Sequence, residues 1–199
     1  MADTRTRDLS MMPFALSTPQ NDAGGGVSAE YSEPAAAQSA AELLAPEKNN
    51  SPYLVLRAGR AGERACAERA LRSGLARDAF SLARVALRRE HGAWVARTEA
   101  IWPGYVLVEP AEGVVADDLG AVGSLTPIES ALVRRLGGAS HLIPVSEGHI
   151  VAGRLEVRFG PLAGLEPLVR RVDRHRRLAW LEPEPGRRIP VGLEVVSKS

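Results

Sequence analysis

Between Val169 and Trp180 the chain reads Val-Arg-Arg-Val-Asp-Arg-His-Arg-Arg-Leu-Ala-Trp, which gathers Arg170, Arg171, Arg174, Arg176 and Arg177 around His175. A guanidinium is a planar fork of donors that pairs with phosphate oxygens and stacks on flat rings, so several in one short segment suit an RNA strand. His175 adds a group that can hydrogen-bond or stack. The plainer alternative is a solvated basic loop. Arg84, Arg88 and Arg89 form a second, separate set placed for contact with nucleic-acid phosphates.

Bond-making chemistry finds no comparable constellation. His91, His141, His149 and His175 lie in four unrelated contexts, without the paired His or Cys spacing of a zinc site. Gly160 to Gly164 holds no phosphate-binding lysine, and scattered Ser, Asp and His residues do not make a triad. The expectation is a protein that is not an enzyme and needs no cofactor or metal.

The arginines need a scaffold, and the flanking residues supply one. Gly160-Pro161-Leu162-Ala163-Gly164 is a corner between β-like runs; Leu168, Val169 and Val172 then pair with Leu178 to Leu181, leaving Asp173 to Arg177 as a hairpin tip. Leu155, Val157 and Phe159, and later Ile189, Val191, Leu193 and Val195, alternate as further strands. Pro183, Pro185 and Pro190 disfavour a long helix over this last third. The second arginine set falls on a strand from Phe80 to Leu87, with Ala83, Val85 and Leu87 on one face and Arg84, Ala86 and Arg88 on the other. His91-Gly92 turns it back towards Trp94 and Val95.

Upstream, Tyr53 to Leu56 reads as a strand and Glu63 to Ser73 as a helix stopped by Gly74, with Cys66, Ala67, Ala70 and Leu71 inward. Cys66, the only cysteine, is thereby assigned to the core rather than to redox work. Pro103-Gly104 kinks the entry to Tyr105-Val106-Leu107-Val108, an apolar run suited to the middle of a sheet. Thr126-Pro127-Ile128-Glu129 carries a full set of helix-start signals, Ile128, Leu132 and Leu136 form its buried stripe, and Gly137-Gly138 ends it.

Composition separates a tail from a body. Residues 1–50 hold three basic and seven acidic groups and few aromatics, the signature of disorder, whereas the remainder holds 22 basic against 17 acidic. Arg supplies 23 of the 25 basic residues, which is consistent with polyanion binding and equally with a coding bias. Apolar runs are too short for a membrane span, and one cysteine fits a reducing cytoplasm. The expected organisation is α+β: a tail at 1–50, a domain at 51–140, a linker at 141–153 and a small β-barrel at 154–199.

The Gly-Pro-Leu-Ala-Gly-Leu-Glu to Val-Asp-Arg-His-Arg-Arg stretch resembles the KOW motif. Trp102-Pro103-Gly104-Tyr105 with its apolar strand resembles the aromatic-Pro-Gly-Tyr signature of the NusG amino-terminal domain, with Trp where Phe is commoner. Together, from residue 51 onward, the chain resembles the NusG family of transcription elongation factors, and most of all its LoaP-type antiterminator paralogues. The resemblance implies an NGN domain, an antiparallel sheet with flanking helices, followed by an SH3-like KOW barrel. It implies promotion of readthrough at pauses and terminators.

It also implies that Tyr53, Trp102, Pro103, Gly104 and Tyr105 grip the clamp helices of the largest RNA polymerase subunit, and that the Arg170 to Arg177 hairpin contacts nascent RNA, including a leader hairpin. The aromatic residues could instead fill the core. Non-template DNA and ribosomal protein S10 are left open as further contacts, and the protein is expected to act as a cytoplasmic monomer. Gly153-Arg154 departs from the Gly-Asp usual before the first KOW strand. The rival reading is a KOW-type RNA-binding protein associated with the ribosome.

Overall fold

Alternation along two apolar strands explains the first sheet. In β1 (Leu54–Arg57) and β5 (Tyr105–Pro110), Val55 and Leu107 point to one side while Leu56, Val106 and Val108 point to the other, and all five are buried. The sheet they anchor runs β2-β5-β1-β6, with β2 at Ala76–Phe80 and β6 at Gly123–Ser124. One face is covered by α2 (Gly62–Arg72) through Cys66, Ala67 and Ala70. The other faces the main core. In this computed structural model, which describes residues 40–44 and 51–198, the chain is a mixed α+β protein. No helix among the described residues is long and apolar enough to cross a membrane.

Helix α4 (Pro127–Gly137) forms as its start signals require, after the four-residue α3 (Ala116–Leu119). Thr126 Oγ1 accepts from the Glu129 N–H at 3.1 Å, and Glu129 Oε2 accepts from the Thr126 N–H at 2.8 Å. Leu132 and Leu136 are buried and Ile128 packs against the same core. A second sheet, β4-β3-β7, consists of β3 (Ala83–Glu90), β4 (Ala93–Ala100) and the short β7 (Leu142–Ile143). His91 and Gly92 join β3 to β4 with φ of 50° and 85°, the left-handed pair that a two-residue hairpin matched to strand twist needs.

The third sheet has the order β10-β11-β12-β8-β9. Its strands are β8 (Ser146–Val151), β9 (Arg154–Phe159), β10 (Val169–Asp173), β11 (Leu178–Glu184) and β12 (Arg187–Lys198). The register between β11 and β12 shifts around Pro183, which has no N–H to give to the ladder. Ala179, Leu181, Val191 and Leu193 from this sheet are fully buried in the same cluster as Val55, Leu107, Leu132 and Ile143. A single apolar core therefore runs from the first sheet through α4 into the third.

Several expectations need correction. The span 141–153 is not a linker: β8 occupies it, pairs in parallel with β12 and antiparallel with β9, and is preceded by His141 stacked on Phe80 with 3.6 Å between ring centroids. The strand read from Phe80 to Leu87 is two strands, since Ser81 and Leu82 break the ladder and β3 continues to Glu90. On β3 the more enclosed face carries Arg84 and Ala86, whereas Val85 and Leu87 are half-buried. That reversal is tolerable because Arg84 meets a counter-ion, Glu99, directly across the hairpin.

The tail at 1–50 lies outside the described residues except for 40–44. There α1 (Ala40–Leu43) precedes a buried Leu44, so this end of the tail is part of the fold. Arg135 holds it by donating from Nη1 to the Leu43 carbonyl at 3.2 Å.

Candidate nucleic-acid interface

The tip between β10 and β11 is shaped by its own side chains. Asp173 Oδ1 accepts from the Arg176 N–H at 2.9 Å, and Arg177 adopts φ of 52° to turn the chain into β11. The Arg177 carbonyl then accepts from the Leu193 N–H at 3.0 Å, which ties the tip to β12. From that position the Arg177 guanidinium reaches Glu194 on β12, with Nη1 to Oε1 at 2.8 Å, and lies over the indole of Trp94 at 4.1 Å from the ring centroid. Stacking with a cation of this kind is worth about 0.5–1 kcal/mol at exposed sites.

Trp94 belongs to the other hairpin, where it stands opposite Arg89 in the β3–β4 register. The two hairpins thus meet. Between them opens a cleft of about 440 Å³ lined by Arg89, Trp94, Arg174, His175, Arg177 and Glu194. Among the described residues neither Arg89 nor Arg174 has an ion-pair partner, so two unneutralised guanidiniums flank an exposed aromatic ring. Cationic forks beside a stacking platform are the combination that holds single-stranded nucleic acid without a double helix to read.

Not every arginine named from sequence takes part. Arg170 and Arg171 are exposed on β10, the sheet edge, away from the cleft lining, and Arg176 folds back towards Asp173 at 3.9 Å. Arg84 is 8% exposed and gives Nη2 to Glu99 Oε2 at 3.2 Å, while Arg88 forks onto the same carboxylate at 2.6 and 2.8 Å. Both brace the hairpin; the assignment of Arg84 to nucleic-acid phosphates is corrected because its guanidinium is buried, whereas Arg88 remains about half exposed while forked onto Glu99. Trp94 was missed because an aromatic on a strand ordinarily signals core. Its place directly opposite Arg89 is the signal that could have found it.

The Arg88 fork, with Arg84 behind it, holds the Glu99 carboxyl below its ordinary range, and burial pulls the Arg84 guanidinium down. Removing the carboxylate strands an enclosed charge whose Nη1 already lacks a partner. Glu99→Ala is expected to cost about 2–3 kcal/mol in urea unfolding, less than a fully buried pair because a quarter of Glu99 meets water. Because the folded pKa of Glu99 lies below its unfolded one, its contribution is complete above the ordinary carboxylate pKa and is lost as pH falls through the folded value. The variant should therefore lack that share of the acid sensitivity.

The aromatic set divides as well. Tyr53 is 4% exposed, edge-on to Phe80 at 5.3 Å between centroids, with Arg134 4.3 Å above its ring. It is a core residue, which corrects its assignment to a polymerase-facing surface. Trp102 and Tyr105 are half-buried against the main core, and Pro103 between them is exposed. Their turn is pinned by the Gly104 N–H donating to Glu63 Oε1 at 2.6 Å and by the Ala58 N–H donating to the Gly104 carbonyl at 2.9 Å. Among the described residues no group of three or more His, Cys, Asp or Glu is placed to hold a metal ion. No protein-family model matches this chain, and no curated protein matches it either.

Proposed function

We propose that the protein is a non-enzymatic transcription elongation and antitermination factor that holds single-stranded RNA in the cleft between its two hairpins while docked on RNA polymerase. The observation that carries the reading is the convergence of Arg89, Arg174 and Arg177 around the exposed Trp94. Polymerase docking rests on the resemblance of Trp102-Pro103-Gly104-Tyr105 to the NusG signature, and the pinned turn with Pro103 at its surface is the segment offered to it. On this reading 51–140 is NGN-like and the sheet of β8 to β12 is KOW-like, with the two packed on a common core rather than swinging on a linker.

An arrangement of this kind would keep emerging RNA at a fixed distance from the polymerase contact, so that the strand is held before a terminator hairpin closes. The test is transcription in vitro through an intrinsic terminator placed behind the chain's own operon leader. The wild-type protein is expected to raise readthrough, and the Trp94→Ala, Arg174→Ala double variant to lose most of that gain while remaining folded. Unchanged termination with wild-type protein, despite tight RNA binding, would overturn the polymerase half of the proposal and favour a ribosome-associated role.

A further inference from the structure

Glu194 is out of place in a site for a polyanion. Its carboxylate lies in the lining of the cleft and its side chain is 44% exposed, so it repels any phosphate that approaches. One oxygen, Oε1, is engaged by Arg177 at 2.8 Å. A carboxylate offers about four lone-pair sites, which leaves Oε2 and part of Oε1 able to accept from a ligand. Arg177 is held at both ends, by its stack on Trp94 and by its carbonyl accepting from the Leu193 N–H, so the guanidinium that engages the carboxylate is anchored on the ring, and carboxylate and ring line the same cleft. What sits there is an acceptor next to a stacking surface.

Building on the RNA-binding reading, we propose that Glu194 makes the cleft selective for an unpaired guanine. A base stacked beside Trp94 and Arg177 turns its edge towards Glu194, and its flanking phosphates fall to Arg89 and Arg174. Guanine presents N1–H and N2–H side by side, two adjacent donors that match the fork of a carboxylate. Uracil presents one N–H between two carbonyl oxygens, whose lone pairs face the carboxylate's own. Cytosine and adenine each offer an amino donor flanked by a ring nitrogen acceptor, and rank between. A well-aligned bidentate contact between a side chain and a base discriminates by roughly 5- to 150-fold. The price in phosphate repulsion is thereby exchanged for a choice of base.

The measurement is fluorescence anisotropy with labelled uridine heptamers whose central base is U, C, A or G, at one fixed salt concentration. Wild-type protein is expected to bind the guanine heptamer about tenfold more tightly than the all-uridine one. Glu194→Gln, which keeps the shape of the side chain but replaces one acceptor with a donor, is expected to bind both with nearly equal affinity. Equal binding of all four heptamers by wild-type protein, or a guanine preference that survives Glu194→Gln, overturns the selectivity and leaves RNA binding standing. Binding of none of them overturns the RNA reading together with it. Equal binding by wild-type protein would overturn the selectivity without any variant, and should Glu194→Gln fail to fold, Glu194→Ala, which removes the acceptor altogether, takes its place in the same assay with the same two outcomes.

Discussion

Replacing Trp94 with alanine is expected to weaken binding of single-stranded RNA by about 1–3 kcal/mol, the usual loss for one base–aromatic stack. Fold stability should change by much less, because Trp94 is 39% exposed and its ring carries the exposed-site stack with Arg177. The arginines should respond differently. Removing both Arg89 and Arg174 takes away two phosphate partners, and at about −0.7 per contact the slope of log affinity against log salt should become shallower by about 1.4. Trp94→Ala should leave that slope where it was. Anisotropy titrations across a salt series separate the two effects: a stacking loss independent of salt, and a cationic loss that vanishes at high salt. If Trp94→Ala binds as wild type, the ring is a strut for Arg177 and the cleft is not the site.

How the cleft could be anticipated, and how it could not, follows from the range over which each signal acts. The β10–β11 tip was legible because everything that shapes it lies within a few residues: Asp173 caps the turn and the apolar limbs pair with each other. Helix α4 was legible for the same reason, its capping box being complete in four residues. β8 was not. Its inward positions are Ser146, Gly148 and Ile150, so two of three carry no apolar side chain and the alternation is hidden.

The reasons for those small residues lie outside the strand itself. Ser146 Oγ accepts from the Leu162 N–H at 3.1 Å, and a Cβ on Gly148 would stand 2.7 Å from the Glu156 carbonyl. The parallel pairing of β8 with β12 is likewise set by residues some fifty positions away, from the end of the chain. The cleft itself depends on one more distant contact, β12 against β3. Residues such as Arg89 and Glu194 carry no local sign that they will line one cleft.

That contact supplies the second large expectation. Gly192 on β12 sits where an added Cβ would lie 2.8 Å from the Val85 carbonyl oxygen of β3 and 3.0 Å from Val145 Cγ2. Backbone cannot yield as a flexible side chain can, so Gly192→Ala is expected to force the strands apart and cost about 1–3 kcal/mol, the ordinary range for overpacking a filled interior. Gly192→Val should cost more. Because β12 carries Glu194 two residues further on, and β3 carries Arg89, the wedge also separates the walls of the cleft. RNA affinity should fall in step with stability, although no residue that lines the cleft has changed.

Urea unfolding of the wild-type protein should show one cooperative transition, since Val55, Leu132 and Leu193 share a single core, and Gly192→Ala should move that transition as a whole. Two transitions, with only one of them displaced, would mean that the sheets fold as separate units and that the hairpins meet without being held. A single displaced transition together with unaltered RNA binding would mean that the strand contact maintains the fold and the cleft is formed by the hairpin tips alone.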